Sequence, residues 1–251
     1  MGELLEAGGW GLLAGSALLV GAVPGYVLRI PHQVVASVMA FGAGVLLSAV
    51  SFELIDEAYG RSGMLPVVVG AVGGAVAYTT GNAALARRGA RHRKRSGHVQ
   101  DQPSERQRSG SGTALALGAL LDGVPESAVI GLGLAQGGAV STATVAAVFI
   151  SNVPEGLSSS AGMRKAGRSR SYVFGLWGTI AVVSMLSAVA GNAAAGVLPP
   201  SVVAAVTAVA AGAVLAMIAD TMIPEAFEKA HLAIGLIVVA GFLVSFALSH
   251  A

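Results

Sequence analysis

The chain has 251 residues, of which 54% are hydrophobic and only 11% are charged, with 35 glycines and no cysteine. An average soluble domain carries about 25% charged residues, so this composition excludes most soluble folds and predicts a polytopic membrane protein. The absence of cysteine excludes disulfides and thiolate metal sites. The formal net charge is only +2, and its basic residues lie where membrane topology places them, so we expect no nucleic-acid partner.

Apolar runs of about 20 residues, long enough to cross a bilayer, recur eight times along the chain. They cover residues 4–28, 33–57, 63–86, 113–136, 140–162, 172–197, 200–225 and 231–249. We therefore predict an all-α polytopic membrane protein with eight transmembrane helices in one integral membrane domain. Residues 1–86 hold spans 1 to 3 in this division, and residues 113–251 hold spans 4 to 8.

Residues 87–112, between the two groups of spans, form a long polar stretch rich in Arg, Ser, Gly and Gln. It has no apolar period, so we expect a basic cytoplasmic loop that is largely disordered. Two interpretations remain open. The loop is either a solvated anchor of the topology that contacts anionic lipid, or a regulatory loop that binds metal through His92 and His98.

The distribution of basic residues predicts the orientation, because Lys and Arg are retained on the cytoplasmic side of a membrane. With the N-terminus outside, fourteen of the fifteen Lys and Arg face the cytoplasm and Arg61 alone faces outward. We expect a multi-pass protein of the cell inner (plasma) membrane with both termini extracytoplasmic.

Two consecutive spans share a Val-Pro-Glu core. Span 4 contains Asp122-Gly-Val-Pro-Glu126-Ser, and span 5 contains Ser151-Asn-Val-Pro-Glu155-Gly. A weaker sequence similarity relates I-D-E-A-Y in span 2 to I-P-E-A-F in span 7. Because these pairs of spans run in opposite directions, they predict inverted repeats, with spans 1–3 related to spans 6–8 and spans 4 and 5 central.

Three carboxylates, on Asp122, Glu126 and Glu155, fall near the predicted bilayer midplane. A charged side chain there costs about 2.5 to 3.5 kcal/mol, so each needs a counter-charge. Every Lys and Arg lies in a loop or at a span end, and we expect none of them to reach these acids. The counter-charge is then a proton, a metal cation or a cationic substrate.

The same spans offer further oxygen ligands. Asp122 and Glu126 are four residues apart, as are Ser151 and Glu155, and this spacing puts each pair on one face of a helix. The prolines before the two glutamates free helix carbonyls, and Asn152 adds another oxygen. Hard oxygens without thiol or imidazole predict a site for a divalent cation.

Four acids nearer the span ends suggest a path to and from this site. Glu53 and Glu57 lie at the outer end of span 2, and Asp220 and Glu225 lie toward the inner end of span 7. The alternative is that these side chains only solvate the helix ends.

The tandem Pro-Glu signatures resemble those of the ZIP (Zrt/Irt-like) family of divalent-metal transporters, whose fourth and fifth helices carry H-N-x-P-E-G and a related H/Q-x-x-P-E-G. The resemblance extends to eight spans, external termini, a variable cytoplasmic loop after span 3 and an I-P-E-A ending to span 7. It implies metal ligation at the positions of Asp122, Glu126, Ser151 and Glu155, with Asn152 at a neighbouring position. It also implies a homodimer.

The chain departs from the family pattern at three positions. Asp122 replaces the His of span 4, Ser151 replaces the His or Gln of span 5, and Gly123 replaces an Asn that serves a second ion. We therefore expect one metal rather than two. Zinc is the first candidate because it accepts carboxylates, and the harder ligand set brings in manganese and iron. Cadmium is a further alternative.

We therefore predict a transporter that moves a divalent metal ion into the cytoplasm, and not an enzyme. Its expected partners are membrane lipid and a second copy of the chain. We expect no cofactor beyond the transported metal. Two alternatives stay open. One is a proton-coupled carrier of another cation, and the other is an intramembrane metal-dependent hydrolase that uses the same carboxylates to hold a metal.

Overall fold

The computed structural model describes residues 2–90, 93–94, 102–135, 142–227 and 233–250. These residues are 89% helical and contain no strand. Their long helices are α1 (Gly2–Val27), α2 (His32–Ser62), α3 (Met64–Ala90), α4 (Ser111–Ala135), α5 (Thr142–Lys165), α6 (Arg170–Ala195), α7 (Pro200–Phe227) and α8 (Ile234–Ser249). The predicted all-α fold class is confirmed.

Six of these helices, all except α5 and α8, are long and apolar enough to cross a membrane, which indicates a multi-pass membrane protein. Helix α5 has 24 residues, but its serines, Asn152, Glu155 and terminal basic residues lower its apolar content. Helix α8 is apolar but has only 16 residues within the described ranges. Eight helices therefore occupy the predicted positions, whereas six meet the requirements of a span.

Three of the long helices contain a π-helical turn: α3 ends in one at Ala86–Ala90, and the other two lie within α2 and α7. The turn in α2 covers Val50–Ile55 and includes Glu53, and the turn in α7 covers Ile218–Met222 and includes Asp220. Such turns are rare and often occur at functional positions, because they shift the side chains that follow by one place around the helix. The turns in α2 and α7 interrupt helices that bear acids of the predicted path.

The helices pack in pairs at glycine contacts. Helix α1 packs on α5, α4 on α6, α2 on α8, and α3 on α7. In each pair a glycine of either helix lies against the backbone of the other: Gly21 and Gly156, Gly131 and Gly191, Gly44 and Gly241, Gly74 and Gly212. A Cβ on any of these eight glycines would lie between 1.8 and 2.3 Å from a backbone oxygen of the partner helix. Small residues thus allow the close approach that stabilises helix pairs in membranes.

The helices that carry the predicted site lie where these pairs meet. Helix α1 also packs on α6, which groups α1, α4, α5 and α6, while the largest apolar cluster is built mainly from α2 and α7. Helix α5 contacts α2 and helix α4 contacts α7. The helices that carry Asp122, Glu126 and Glu155 therefore contact α2 and α7, which lie outside the group of α1, α4, α5 and α6.

Candidate functional site

Asp122 is the centre of a buried network of charged and polar side chains. Only 2% of its surface is exposed. Its Oδ1 accepts hydrogen bonds from the Tyr78 hydroxyl at 2.7 Å and from Arg93 Nη2 at 2.8 Å, and its Oδ2 accepts one from Arg93 Nε at 3.0 Å. The paired bonds from one guanidinium to one carboxylate form the bidentate arrangement that makes Arg–carboxylate contacts strong.

The Arg93 guanidinium is held from three sides. In addition to Asp122, its Nη1 donates to Asn82 Oδ1 at 2.6 Å and its Nη2 donates to the Tyr78 oxygen at 2.7 Å. Gly118 of α4 leaves room for the side chain, since a Cβ there would lie 2.5 Å from Arg93 Cδ. Burial lowers the pKa of Arg93, but Asp122 raises it by more, so the guanidinium keeps its charge.

Lys94 bridges the two helices of the predicted site. Its Nζ lies 2.8 Å from Glu155 Oε2 and 3.3 Å from Asp122 Oδ2, and the side chain is 2% exposed. Burial lowers the pKa of the Lys94 ammonium, while the carboxylates of Asp122 and Glu155 raise it by more. One buried cation is therefore shared by a carboxylate of α4 and a carboxylate of α5.

These contacts correct one expectation from the sequence. We expected no basic side chain to reach the buried acids, and this is wrong, because Arg93 and Lys94 lie within hydrogen-bond or ion-pair distance of Asp122 and Glu155. Arg93 and Lys94, which belong to the polar stretch between α3 and α4, lie at the site. Basic residues between two predicted spans can therefore contact acids inside the spans.

Other described residues of this segment also pack on the helices. Gln102 Nε2 donates to the Arg93 carbonyl at 2.8 Å and to the Ser159 carbonyl at 3.2 Å. Glu105 accepts hydrogen bonds from Arg168 Nη1 at 2.8 Å and from the Gly112 N–H at 3.0 Å. His92 and His98, the two candidate ligands of a regulatory loop, lie outside the described residues.

All five predicted ligand residues are buried, but they have different partners. Glu126 Oε1 accepts no hydrogen bond from the described residues. The Ser151 hydroxyl donates to the Val148 carbonyl of its own helix, and Asn152 Nδ2 donates to the Ala14 carbonyl of α1, each at 2.9 Å. Asp122 and Glu155 alone share a cation.

Within the described ranges, no three His, Cys, Asp or Glu side chains come close enough together to hold a metal ion. Lys94 Nζ stands between Asp122 and Glu155 in this arrangement. The network therefore consists of buried ion pairs and hydrogen bonds between side chains of the chain itself.

The four acids of the predicted path lie in different surroundings. Glu53 accepts hydrogen bonds from Ser249 Oγ at 2.6 Å and from the Thr144 hydroxyl. Glu57 pairs with Arg61 at 2.9 Å, and Asp220 is exposed. Glu225 is buried, with its Oε1 3.1 Å from the Ser158 hydroxyl, which also donates to the Lys94 carbonyl. Of the four, only Glu225 lies next to the network.

Sequence reasoning missed four members of this network: Tyr78, Asn82, Arg93 and Lys94. The polar residues of α3 lie in an otherwise apolar run, and that contrast is a signal for Tyr78 and Asn82. The dense basic run that contains Arg93 and Lys94 is also visible in the sequence, but nothing in it distinguishes these two cations from their neighbours.

The fold and the network together define a helical, multi-pass membrane protein with a network of buried charged side chains between its helices. Comparison of the chain with models of known protein families gives no match, and no curated protein matches it.

Proposed function

We propose that this protein transports a divalent metal ion into the cytoplasm, as a ZIP-type transporter with Asp122, Glu126 and Glu155 as its main ligands. The observation that carries the proposal is the position of Lys94 Nζ, which lies 2.8 and 3.3 Å from carboxylates of two different helices. A place in the helix bundle where two carboxylates bind a positively charged group is suited to a metal cation.

Glu126 supports the same interpretation. Its buried Oε1 has no hydrogen-bond donor among the described residues, although buried polar atoms nearly always have a partner. A metal ion at the site satisfies this oxygen directly. Ser151 and Asn152 complete the ligand shell in the proposal through lone pairs on Oγ and Oδ1, because their present bonds to helix carbonyls use only the hydroxyl hydrogen and Nδ2 as donors.

The helix packing supports the proposed inverted repeats. Exchanging α1 with α6, α2 with α7, α3 with α8 and α4 with α5 converts the α1–α5 contact into the α6–α4 contact, and the α3–α7 contact into the α8–α2 contact. The reciprocal glycines and the π-helical turns of α2 and α7 follow the same exchange. Transporters are often built from such repeats, with the site where the repeats meet.

The remaining parts of the proposal come from the ZIP resemblance and from the distribution of the basic residues along the chain. They are eight spans, a homodimer, the plasma membrane with both termini outside, and zinc as the first candidate ion, with manganese, iron and cadmium as alternatives. Glu53 and Glu57 are proposed to lie on the outer path to the site, and Asp220 and Glu225 on the inner path. Transport, rather than intramembrane hydrolysis, is proposed because the sequence has no H-E-x-x-H motif.

A second candidate is a carrier of a monovalent organic cation, which one observation favours. The carboxylates bind a guanidinium and an ammonium, and these are the groups that an organic cation presents. The uptake of guanidinium, as the organic cation, is measured beside that of the metal ions.

Uptake into proteoliposomes tests the proposal. Radioactive zinc uptake, with manganese, iron, cadmium and guanidinium as competitors, is compared between wild type, Glu126→Gln and Glu155→Gln. We expect each variant to lower metal uptake by more than about tenfold, because each removes a charged ligand. Glu3→Gln, which neutralises an exposed acid of α1, serves as the control and keeps wild-type uptake. Equal uptake in all four proteins would contradict the site, and transport of guanidinium without metal would favour the second candidate.

A further inference from the structure

We propose that Arg93 and Lys94 are a tethered counter-cation of the carboxylate site: they occupy it when no metal is bound, and a divalent ion binds by displacing them. The displacement rests on the proposed transport function. The docking of the two cations in the site stands on their contacts alone.

The site has the acceptors that the two cations require. Arg93 makes four hydrogen bonds, to the side chains of Asp122, Tyr78 and Asn82, and Lys94 contacts both Asp122 and Glu155. Both side chains are almost completely buried. Few lysines and arginines are buried to this extent unless they are paired, so the docking is specific.

Exchange of these cations for a metal conserves charge. Arg93 and Lys94 together carry two positive charges, as does one divalent ion. The net charge of the site is therefore the same before and after the exchange, whichever protons its carboxylates carry. A charge-neutral exchange is favoured because uncompensated charge is costly in a low-dielectric interior.

The two cations lie outside the described helices. They belong to the polar stretch between α3 and α4, and the Gln102 side chain holds the Arg93 carbonyl. The Ser158 hydroxyl holds the Lys94 carbonyl. Docked cations compete with metal, so the apparent dissociation constant for metal rises in inverse proportion to the fraction of protein in which the site is open.

Docking is tested without metal by limited trypsin digestion of the purified full-length protein, with cleavage after each basic residue measured by mass spectrometry. Gly118→Ala keeps every charge but places a Cβ 2.5 Å from Arg93 Cδ. We expect it to raise cleavage after Arg93 and Lys94 by about fivefold or more, with cleavage after the exposed Arg106 unchanged. The matched control is Gly133→Ala on the same helix, where a Cβ has nothing within 4 Å. Equal cleavage after Arg93 and Lys94 in wild type and Gly118→Ala would overturn the docking.

Displacement is tested by adding manganese to the wild-type digestion. We expect faster cleavage after Arg93 and Lys94, no change after Arg106, and no metal effect in Glu155→Gln. In uptake assays, the double variant Arg93→Gln, Lys94→Gln is expected to lower the half-saturating metal concentration by about fivefold or more. The matched control is the double variant Arg87→Gln, Arg88→Gln, which removes the same charge from exposed positions of α3. We expect it to leave the half-saturating metal concentration unchanged.

The possible outcomes separate the two proposals. Metal uptake by wild type with no effect of metal on cleavage would overturn the displacement. If no protein transports metal, the proposed function fails, while the comparison of Gly118→Ala with Gly133→Ala still decides the docking. If the double variant is too unstable to reconstitute, its thermal unfolding is measured with and without manganese. A larger metal-induced stabilisation than in wild type supports the exchange, and an equal one contradicts it.

Discussion

Tyr78 connects the negative and positive partners of the site, because its hydroxyl donates to Asp122 and accepts from Arg93, both at 2.7 Å. Tyr78→Phe removes the hydroxyl and leaves two charged groups each short of one hydrogen bond. Loss of a buried partner costs about 1 to 3 kcal/mol, so we expect a melting temperature several degrees lower in detergent. Tyr59→Phe alters an exposed tyrosine and is expected to leave the melting temperature unchanged. Equal melting of Tyr78→Phe and wild type would show that these hydrogen bonds do not stabilise the fold.

The acids of the site could be identified from the sequence, whereas their partners could not. Asp122, Glu126 and Glu155 are recognised because a carboxylate in an apolar run is a local pattern, and all three are buried. Arg93 is 29 residues before Asp122, and Tyr78 is 44 residues before it. No periodicity in the sequence relates residues that are this far apart.

The helices themselves were largely predictable, because charges, Pro and Gly end the apolar runs. The predicted span at residues 140–162 corresponds to α5 (Thr142–Lys165), and the one at 200–225 corresponds to α7 (Pro200–Phe227). The π-helical turns were not predicted, since one extra residue in a turn leaves the composition of a helix unchanged.

Glu105 fastens the polar segment to the start of α4 and to Arg168 before α6. The Arg168 guanidinium, followed by the N–H groups of Gly112 and Gly110, lowers the pKa of Glu105 from 4.5 to about 2. A carboxylate whose pKa is lower in the folded state stabilises the fold fully above pH 4.5. That stabilisation is lost as the pH falls from 4.5 toward 2.

We therefore expect Glu105→Gln to melt below wild type at neutral pH, with the difference shrinking between pH 4.5 and 3. Thermal unfolding of the purified proteins from pH 7 to pH 3 measures this difference. Glu3→Gln, in an exposed position of α1, should melt like wild type throughout. A difference that stays constant down to pH 3 would mean that the Glu105 carboxylate does not stabilise the folded protein through these bonds.

At the scale of the whole molecule, glycine contacts and buried charge have complementary roles. The reciprocal glycines bring α1 against α5 and α4 against α6 at backbone distance, so these four helices form a tightly packed group. The charged network instead links α3 to α4 through polar groups, since Tyr78 of α3 donates directly to Asp122 of α4 and Arg93 bonds to both. Apolar packing therefore holds the helix pairs, and the charged network connects α3 to α4.

The orientation of the molecule in the membrane is predicted by its basic residues, since fourteen of fifteen lie on one side in the topology with an external N-terminus. Because the chain contains no cysteine, single cysteines report their side without background. Gly60→Cys, near the turn between α2 and α3, should react with a membrane-impermeant maleimide in intact cells. Ser109→Cys, just before α4, should react only after permeabilisation. Both positions are exposed, so burial does not explain a difference, and the opposite pattern would reverse the orientation and turn the proposed direction of transport outward.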